Sequence, residues 1–368
     1  MDSQTGHEWR EKIVVWGAGE KTKKFLSYYD FYDDIVEIIA VVDANKEKWG
    51  KNLGNYKIIS PEKAYEMDYE RFIVPSEKYF DEIADRIVSD TKIERSRIEH
   101  VYYITKCKLT ARYKSHPDKA DILSYIQDNP LDVFNYSFVK KYENIHPEIG
   151  YDENAELFYV MHKGYRMYMA KRFNTVEEVR TYYKSLCIEQ DKDSPHLYLQ
   201  ADFDVGQGDV VVDIGAAEGI FTLDVIERAE KVYLIETSKE WIEALRYTFK
   251  NFQGKVEIIN KYICDYTAYN TTTLDDLIHE DVDFIKMDIE GCEYAAMTGA
   301  SALIERTPHI KCALCTYHND NDEIMLRILA ESLGLKVSLT KGYMFYPCSI
   351  QQIYIMPTLR KGVIRCEK

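Results

Sequence analysis

Two stretches of this chain place ionisable side chains where apolar ones are expected. The sharper is Phe284-Ile285-Lys286-Met287-Asp288-Ile289-Glu290-Gly291-Cys292-Glu293. Strand side chains alternate faces, so Lys286, Asp288 and Glu290 share one face and Ile285, Met287 and Ile289 the other. A central strand of a doubly wound sheet is normally apolar on both faces. Three ionisable groups on one face are costly unless they are paired or used. The next strand ends in Thr316-Tyr317-His318-Asn319-Asp320, beside that turn. His318 there can act as general base toward an acceptor hydroxyl, with Asp288 or Glu290 orienting it. The same three residues, Asp288, Glu290 and His318, can instead hold a divalent cation. A plainer reading is a Lys286–Asp288 ion pair, with Glu293 placed for the helix N-terminus.

The second stretch is Val210-Val211-Val212-Asp213-Ile214-Gly215-Ala216-Ala217-Glu218-Gly219. Asp213-x-Gly215-x-x-x-Gly219 falls at a strand-to-helix turn, where glycines let backbone approach a ligand closely. The strand Val232–Ile235 then ends in Glu236. An acidic residue about 20 positions after such a turn can accept both ribose hydroxyls. The glycine spacing is not the GxGxxG that a pyrophosphate needs. Asp213 and Glu218 also suit a cation better than a diphosphate. S-adenosylmethionine, a nucleoside with a sulfonium centre, fits both facts. Its expected contacts are Asp213, Gly215, Ala216, Glu218, Gly219, Glu236 and Thr237. Asp265, after the third strand, is a candidate for the adenine amino group, or else a solvated loop residue.

These residues need a βα scaffold. From Asp209 onward, strands are expected at 210–214, 231–235, 256–260, 283–289 and 309–317. Helices are expected at 219–229, 239–251, 293–304 and 321–333. Late strands near 335–340 and 351–356, with no helix between them, would pair as an antiparallel hairpin. The fold class is α/β: a C-terminal seven-stranded, class I methyltransferase (Rossmann-like) sheet, plus a smaller N-terminal Rossmann-like α/β domain. That N-terminal module reads as strands at Ile13–Trp16, Ile35–Val42 and Phe72–Val74. Gly17-Ala18-Gly19 makes a turn, and Pro61 opens a helix at its first position. Between the two βα regions, 157–162 and 165–170 alternate around Lys163-Gly164 as a hairpin. Thr175 with Glu178 forms a capping-box signature. The expected domains are 1–105, a connector or cap at 106–200, and the catalytic domain at 201–368.

Taken together, the motifs resemble the FkbM-type methyltransferase family. The matching segments are 212–223, Glu236, 272–277, 285–300 and 316–318. The resemblance covers roughly 189–357. It implies S-adenosylmethionine-dependent O-methylation of a small-molecule hydroxyl, often on a sugar or a polyketide-type acceptor. Glu189–Tyr198, with Ser194-Pro195-His196, looks like a segment that precedes the core in one subgroup; by analogy Ser194 and His196 fold over the cofactor. On this reading Lys286, Asp288, Glu290 and His318 form the catalytic group. The N-terminal module resembles Rossmann-like domains of glycan-modifying enzymes. Thr22 replaces its third glycine and Asp43 ends its second strand. Sugar-nucleotide binding, a scaffold or homodimer role, and redox chemistry with a dinucleotide all stay open for it. A non-catalytic nucleotide-binding module is a further alternative.

Bulk properties exclude some classes. The 368 residues carry a net charge of −15 and no dense basic stretch. That weighs against nucleic acid and anionic membrane partners. The start, Met1 to Lys12, has no apolar signal core, and the longest apolar runs are strand-sized. A cytoplasmic location is therefore expected. The eight Cys read as free thiols, and Cys312 and Cys315 form a CxxC inside a strand, without a second pair.

Overall fold

The computed structural model describes residues 10–368. The reading of Met1 to Lys12 falls mostly outside them. The chain divides into two compact units, residues 1–132 with 347–358, and residues 133–346 with 359–368. This differs from the expected boundaries near 105 and 200, and the cores explain why. Val101 and Ile104 share an apolar cluster with Ile13 and Val15 of the first unit. Leu157, Val160, Met167 and Val179 share one with Val211 of the second. The segment read as a connector is thus split between two existing cores.

In the first unit, five strands lie parallel in the order Tyr56–Ile59, Val36–Val42, Glu11–Trp16, Arg71–Val74, Ile98–His100. Asn52–Leu53 adds an antiparallel edge. Helix Pro61–Tyr65 starts at its proline and is capped by the Ser60 hydroxyl.

The second unit is built on a seven-stranded sheet: β1 (Val210–Ile214), β2 (Lys231–Ile235), β3 (Val256–Ile259), β4 (Phe284–Met287), β5 (Lys311–Cys315), β6 (Lys336–Leu339) and β7 (Val363–Glu367). Their order is β3-β2-β1-β4-β5-β7-β6, with only β7 antiparallel to its neighbours. The sheet reverses between β1 and β4, which puts a crevice at their C-terminal ends. Val211 and Phe284 face one apolar layer, and Val212, Ile285 and Met287 the other. Cys312 and Cys315 are buried free thiols in β5.

The late hairpin is real, but its second strand is β7, not 351–356. Ile350–Tyr354 is a helix of the first unit. Ile350, Ile353 and Tyr354 have helical spacing, and all three pack into that unit's core. β4 also ends sooner than expected. Its last member is Met287, and Asp288 to Cys292 form a turn. Glu290 and Gly291 lie at φ +57° and +94°. Lys286, Asp288 and Glu290 therefore do not line one strand face: their side chains are 5 %, 22 % and 86 % exposed.

A three-stranded sheet, Ile149–Asp152, Leu157–His162 and Tyr165–Tyr168, covers one side of this unit. Its turn residues Lys163 and Gly164 both have positive φ, as a two-residue hairpin requires. His162 Nε2 lies 2.7 Å from Asp224 Oδ1, tying the hairpin to helix Ile220–Val225. The Thr175–Glu178 capping box opens helix Val176–Glu189. Among the described residues, no helix is long and apolar enough to cross a membrane.

Candidate active site

The crevice starts from β1. Gly215 (φ +74°) and Gly219 (φ +86°) turn the chain after Asp213. Asp213 is fully buried and does not reach the crevice. Its Oδ2 accepts the Thr222 hydroxyl at 2.8 Å, and its Oδ1 lies 3.2 Å from Lys286 Nζ. Lys286 also donates to the Gly215 carbonyl at 2.7 Å. Burial lowers the Lys286 pKa, but Asp213 and Asp288 outweigh it and the net shift is upward. The pair thus props the glycine turn from beneath. Such a pair is costly to bury, so Lys286 sits as a support of the turn rather than at the surface where an acceptor would lie.

Glu236, at the end of β2, is held by three amides. Its Oε2 accepts from Ala217 at 2.9 Å, and its Oε1 from Thr237 and Ser238 at 2.7 Å each. A cavity of about 600 Å³ opens beside it. Of the residues singled out in the sequence, Gly215, Glu236, Thr237, Asp288 and Glu290 line it, and so do Trp241, Tyr262 and Tyr266, which sequence reasoning missed. Ala216, Glu218, Gly219 and Asp265 do not line it. Asp265 is exposed, although its neighbours Cys264 and Tyr266 do line the cavity.

Asp288 links this cavity to a buried polar cluster. Its Oδ2 accepts the Tyr198 hydroxyl at 2.8 Å and its Oδ1 the Tyr317 hydroxyl at 3.0 Å. Burial raises the Asp288 pKa, yet His196, Lys286, His318 and the Tyr198 hydrogen bond bring it down to about 2. It is an anion at any working pH. His196 Nε2 lies 3.2 Å from the Tyr317 hydroxyl and 3.6 Å from Asp288. Burial takes His196 down to about 4, so this imidazole is neutral. The Ser194 hydroxyl accepts the His196 N–H at 3.1 Å and fixes that loop. Ser194 and His196 therefore brace Asp288 from behind and do not line the cavity.

His318 completes the cluster. Its Nδ1 lies 3.0 Å from Glu293 Oε1, and its Nε2 lies 3.5 Å from Asp288 and 3.8 Å from Glu290. Burial lowers its pKa, but Glu293, then Asp288 and Glu290, more than reverse this and raise it. The orienting carboxylate is Glu293, not Asp288 or Glu290. Glu293 is 1 % exposed at the start of helix Glu293–Thr298, and it also accepts the Ile289 amide at 2.8 Å. Two more carboxyls were not singled out as acids: burial and the Asp288 and Glu218 charges push Glu189 up to about 8, and burial raises Glu218. A bound cation would draw both down.

Asp43 in the first unit is already engaged, by the Ala18 and Asn45 amides and by Lys48 Nζ, each at 2.8 Å. Thr22 donates to the Gly17 carbonyl.

Two family models match the chain. Residues 9–99 match the C2185-like N-terminal domain and residues 263–336 the Methyltransferase FkbM domain. No curated protein matches the sequence. Among solved structures, a Methyltransferase FkbM from Methylobacillus flagellatus is similar at 17 % identity and TM-score 0.45, covering 97 % of this chain and 90 % of that one. A Streptococcus mutans protein assigned as a methyltransferase, solved with SAH, is similar at 14 % identity and TM-score 0.31, over 45 % and 90 %. The C-terminal domain of precorrin-6Y C5,15-methyltransferase from Rhodobacter capsulatus is similar at 12 % and 0.32, over 47 % and 85 %. The FkbM match spans β4, its turn and the His318 strand end. Residues 263–336 therefore match a Methyltransferase FkbM domain, and this match supports an S-adenosylmethionine-dependent methyltransferase.

Proposed function

We propose that the chain methylates a hydroxyl of a small molecule, a sugar or glycan precursor, and that His318 is the base. The observation that carries this is the Glu293–His318 pair, 3.0 Å apart, with Nε2 facing the cavity-lining Asp288. Bound S-adenosylmethionine would supply the electrophilic methyl, its S–CH₃ bond breaking to leave a neutral thioether as the acceptor oxygen takes the methyl, and His318 Nε2 would take the hydroxyl proton. Glu236 and the Gly215 turn would hold the cofactor, and Asp288 would orient the acceptor. The direct test is incubation of the full chain with S-adenosylmethionine and a set of free sugars and sugar nucleotides. A product one CH₂ heavier, methylated on oxygen, is expected. Transfer to nitrogen or carbon instead would overturn the reading.

Glu236→Gln is expected to weaken S-adenosylhomocysteine binding about 10–100-fold, by calorimetry, because a charged acceptor is lost and an amide NH₂ meets the backbone donors. Unchanged affinity would remove Glu236 from the ribose role.

A metal-assisted version has one observation in its favour. Asp288, Glu293 and His318 each offer a donor atom, all within 4.8 Å of one another. This set replaces the exposed Glu290 with Glu293. If a cation serves there, a chelator abolishes turnover and added Mg²⁺ or Mn²⁺ restores it. Full activity in the chelator leaves the base mechanism alone.

A further inference from the structure

We propose that the first unit holds a binding site of its own for a neutral carbohydrate, in the cavity along its edge strand Ile98–His100. The cavity is about 640 Å³, room for a small ligand, and its walls include Phe80, His100, Tyr102, Glu77, Gln127 and Asn129. The His100 ring lies 4.8 Å from the Tyr102 ring and 6.3 Å from the Phe80 ring. Neither of its buried nitrogens makes a good hydrogen bond to the protein. Glu77 Oε1 lies 3.9 Å from Nε2, and the Pro75 backbone also acts on the ring. A neutral imidazole offers one donor and one acceptor, and leaving either without a well-formed hydrogen bond costs free energy. A ligand hydroxyl can donate and accept, so it answers both.

The charges choose among ligand classes. The cavity's cations are spent internally: Arg95 on Asp81 at 2.8 Å and Lys106 on Glu99 at 3.6 Å. Asp128 adds negative charge to the lining, and so does Glu77, whose one cationic neighbour, Lys21 at 3.8 Å, does not line the cavity. A phosphate or a nucleotide would meet carboxylates there, with no free arginine or lysine to receive it. What remains are aromatic faces beside carboxylate, amide and imidazole groups. That combination suits the apolar face and the hydroxyl edge of a sugar ring. None of its lining residues belongs to the methyl-transfer centre, so the proposal does not depend on which acceptor that centre takes.

The test is saturation-transfer NMR on the full chain with glucose, galactose, mannose, N-acetylglucosamine and uridine monophosphate as probes. At least one neutral sugar is expected to give a signal that falls at least several-fold in both His100→Ala and Glu77→Gln, and stays unchanged in Glu236→Gln. Glu77 is largely exposed, so its variant keeps the fold. No sugar signal, a sugar signal indifferent to both variants, or a stronger response to the nucleotide at this site would each overturn the proposal.

Discussion

Gly215→Ala is expected to abolish cofactor binding. At φ +74° an added Cβ would stand 1.9 Å from the Asp288 carbonyl oxygen and 3.0 Å from the Ile289 side chain. The obstacle is backbone, so no rotamer change relieves it. Either the β1 turn or the β4 turn must move, and both line the cavity. Moving β1 also breaks the Lys286 contact to the Gly215 carbonyl, and moving β4 displaces Asp288. The positive φ adds a cost of about 1 kcal/mol or more for any residue with a Cβ. Calorimetry with S-adenosylhomocysteine should show affinity reduced by more than about 100-fold. Thermal melting should show a loss of a few kcal/mol, within the range for steric overpacking and backbone strain. Gly254→Ala, where an added Cβ meets nothing within 4 Å, is the control and should bind normally. Wild-type affinity in Gly215→Ala would mean that the cofactor does not depend on this turn.

That close approach was half legible in the sequence. The Asp213-x-Gly215-x-x-x-Gly219 spacing and the Glu236 strand end announce a nucleoside crevice between β1 and β2. The alternating apolar runs likewise announce the sheet. What the glycine meets, the Asp288 carbonyl, depends on the β1–β4 pairing, which lies 71 or more residues apart in the chain and has no local signal. The same limit explains Glu293. Its neighbourhood to His318 comes from a helix start meeting the end of an adjacent strand. From sequence alone, Glu293 had an adequate local role at the helix N-terminus. Glu290, by contrast, falls on a strand face if alternation continues, and the turn after Met287 removes that face. The glycine after it was the available signal that regular alternation stops there. The run at 351–356 reads as a strand because it is short and apolar; the helix Ile350–Tyr354 is selected by a core that has no local signal.

The Glu293–His318 pair yields the most discriminating kinetic result. A base must be deprotonated to accept the acceptor proton. With its pKa raised, His318 is mainly protonated at the lower end of the working range, so turnover should rise with pH. The acidic limb of kcat should therefore fall above the ordinary histidine value of about 6.5. Glu293→Gln removes the largest upward influence while leaving an amide oxygen to accept the Nδ1–H. The limb should then move to lower pH, and the plateau should drop because a weaker base drives proton transfer less well. His318→Ala should remove the limb and cost about 10²–10⁴ in kcat, the usual worth of a positioned base. Its affinity for S-adenosylhomocysteine should hold, since His318 does not line the cofactor cavity. A structural role for the pair would lower stability and rate without shifting the limb. Full activity of His318→Ala with an unaltered pH profile would transfer the base to another group, and the Tyr198–Asp288–Tyr317 cluster would be the next place to look.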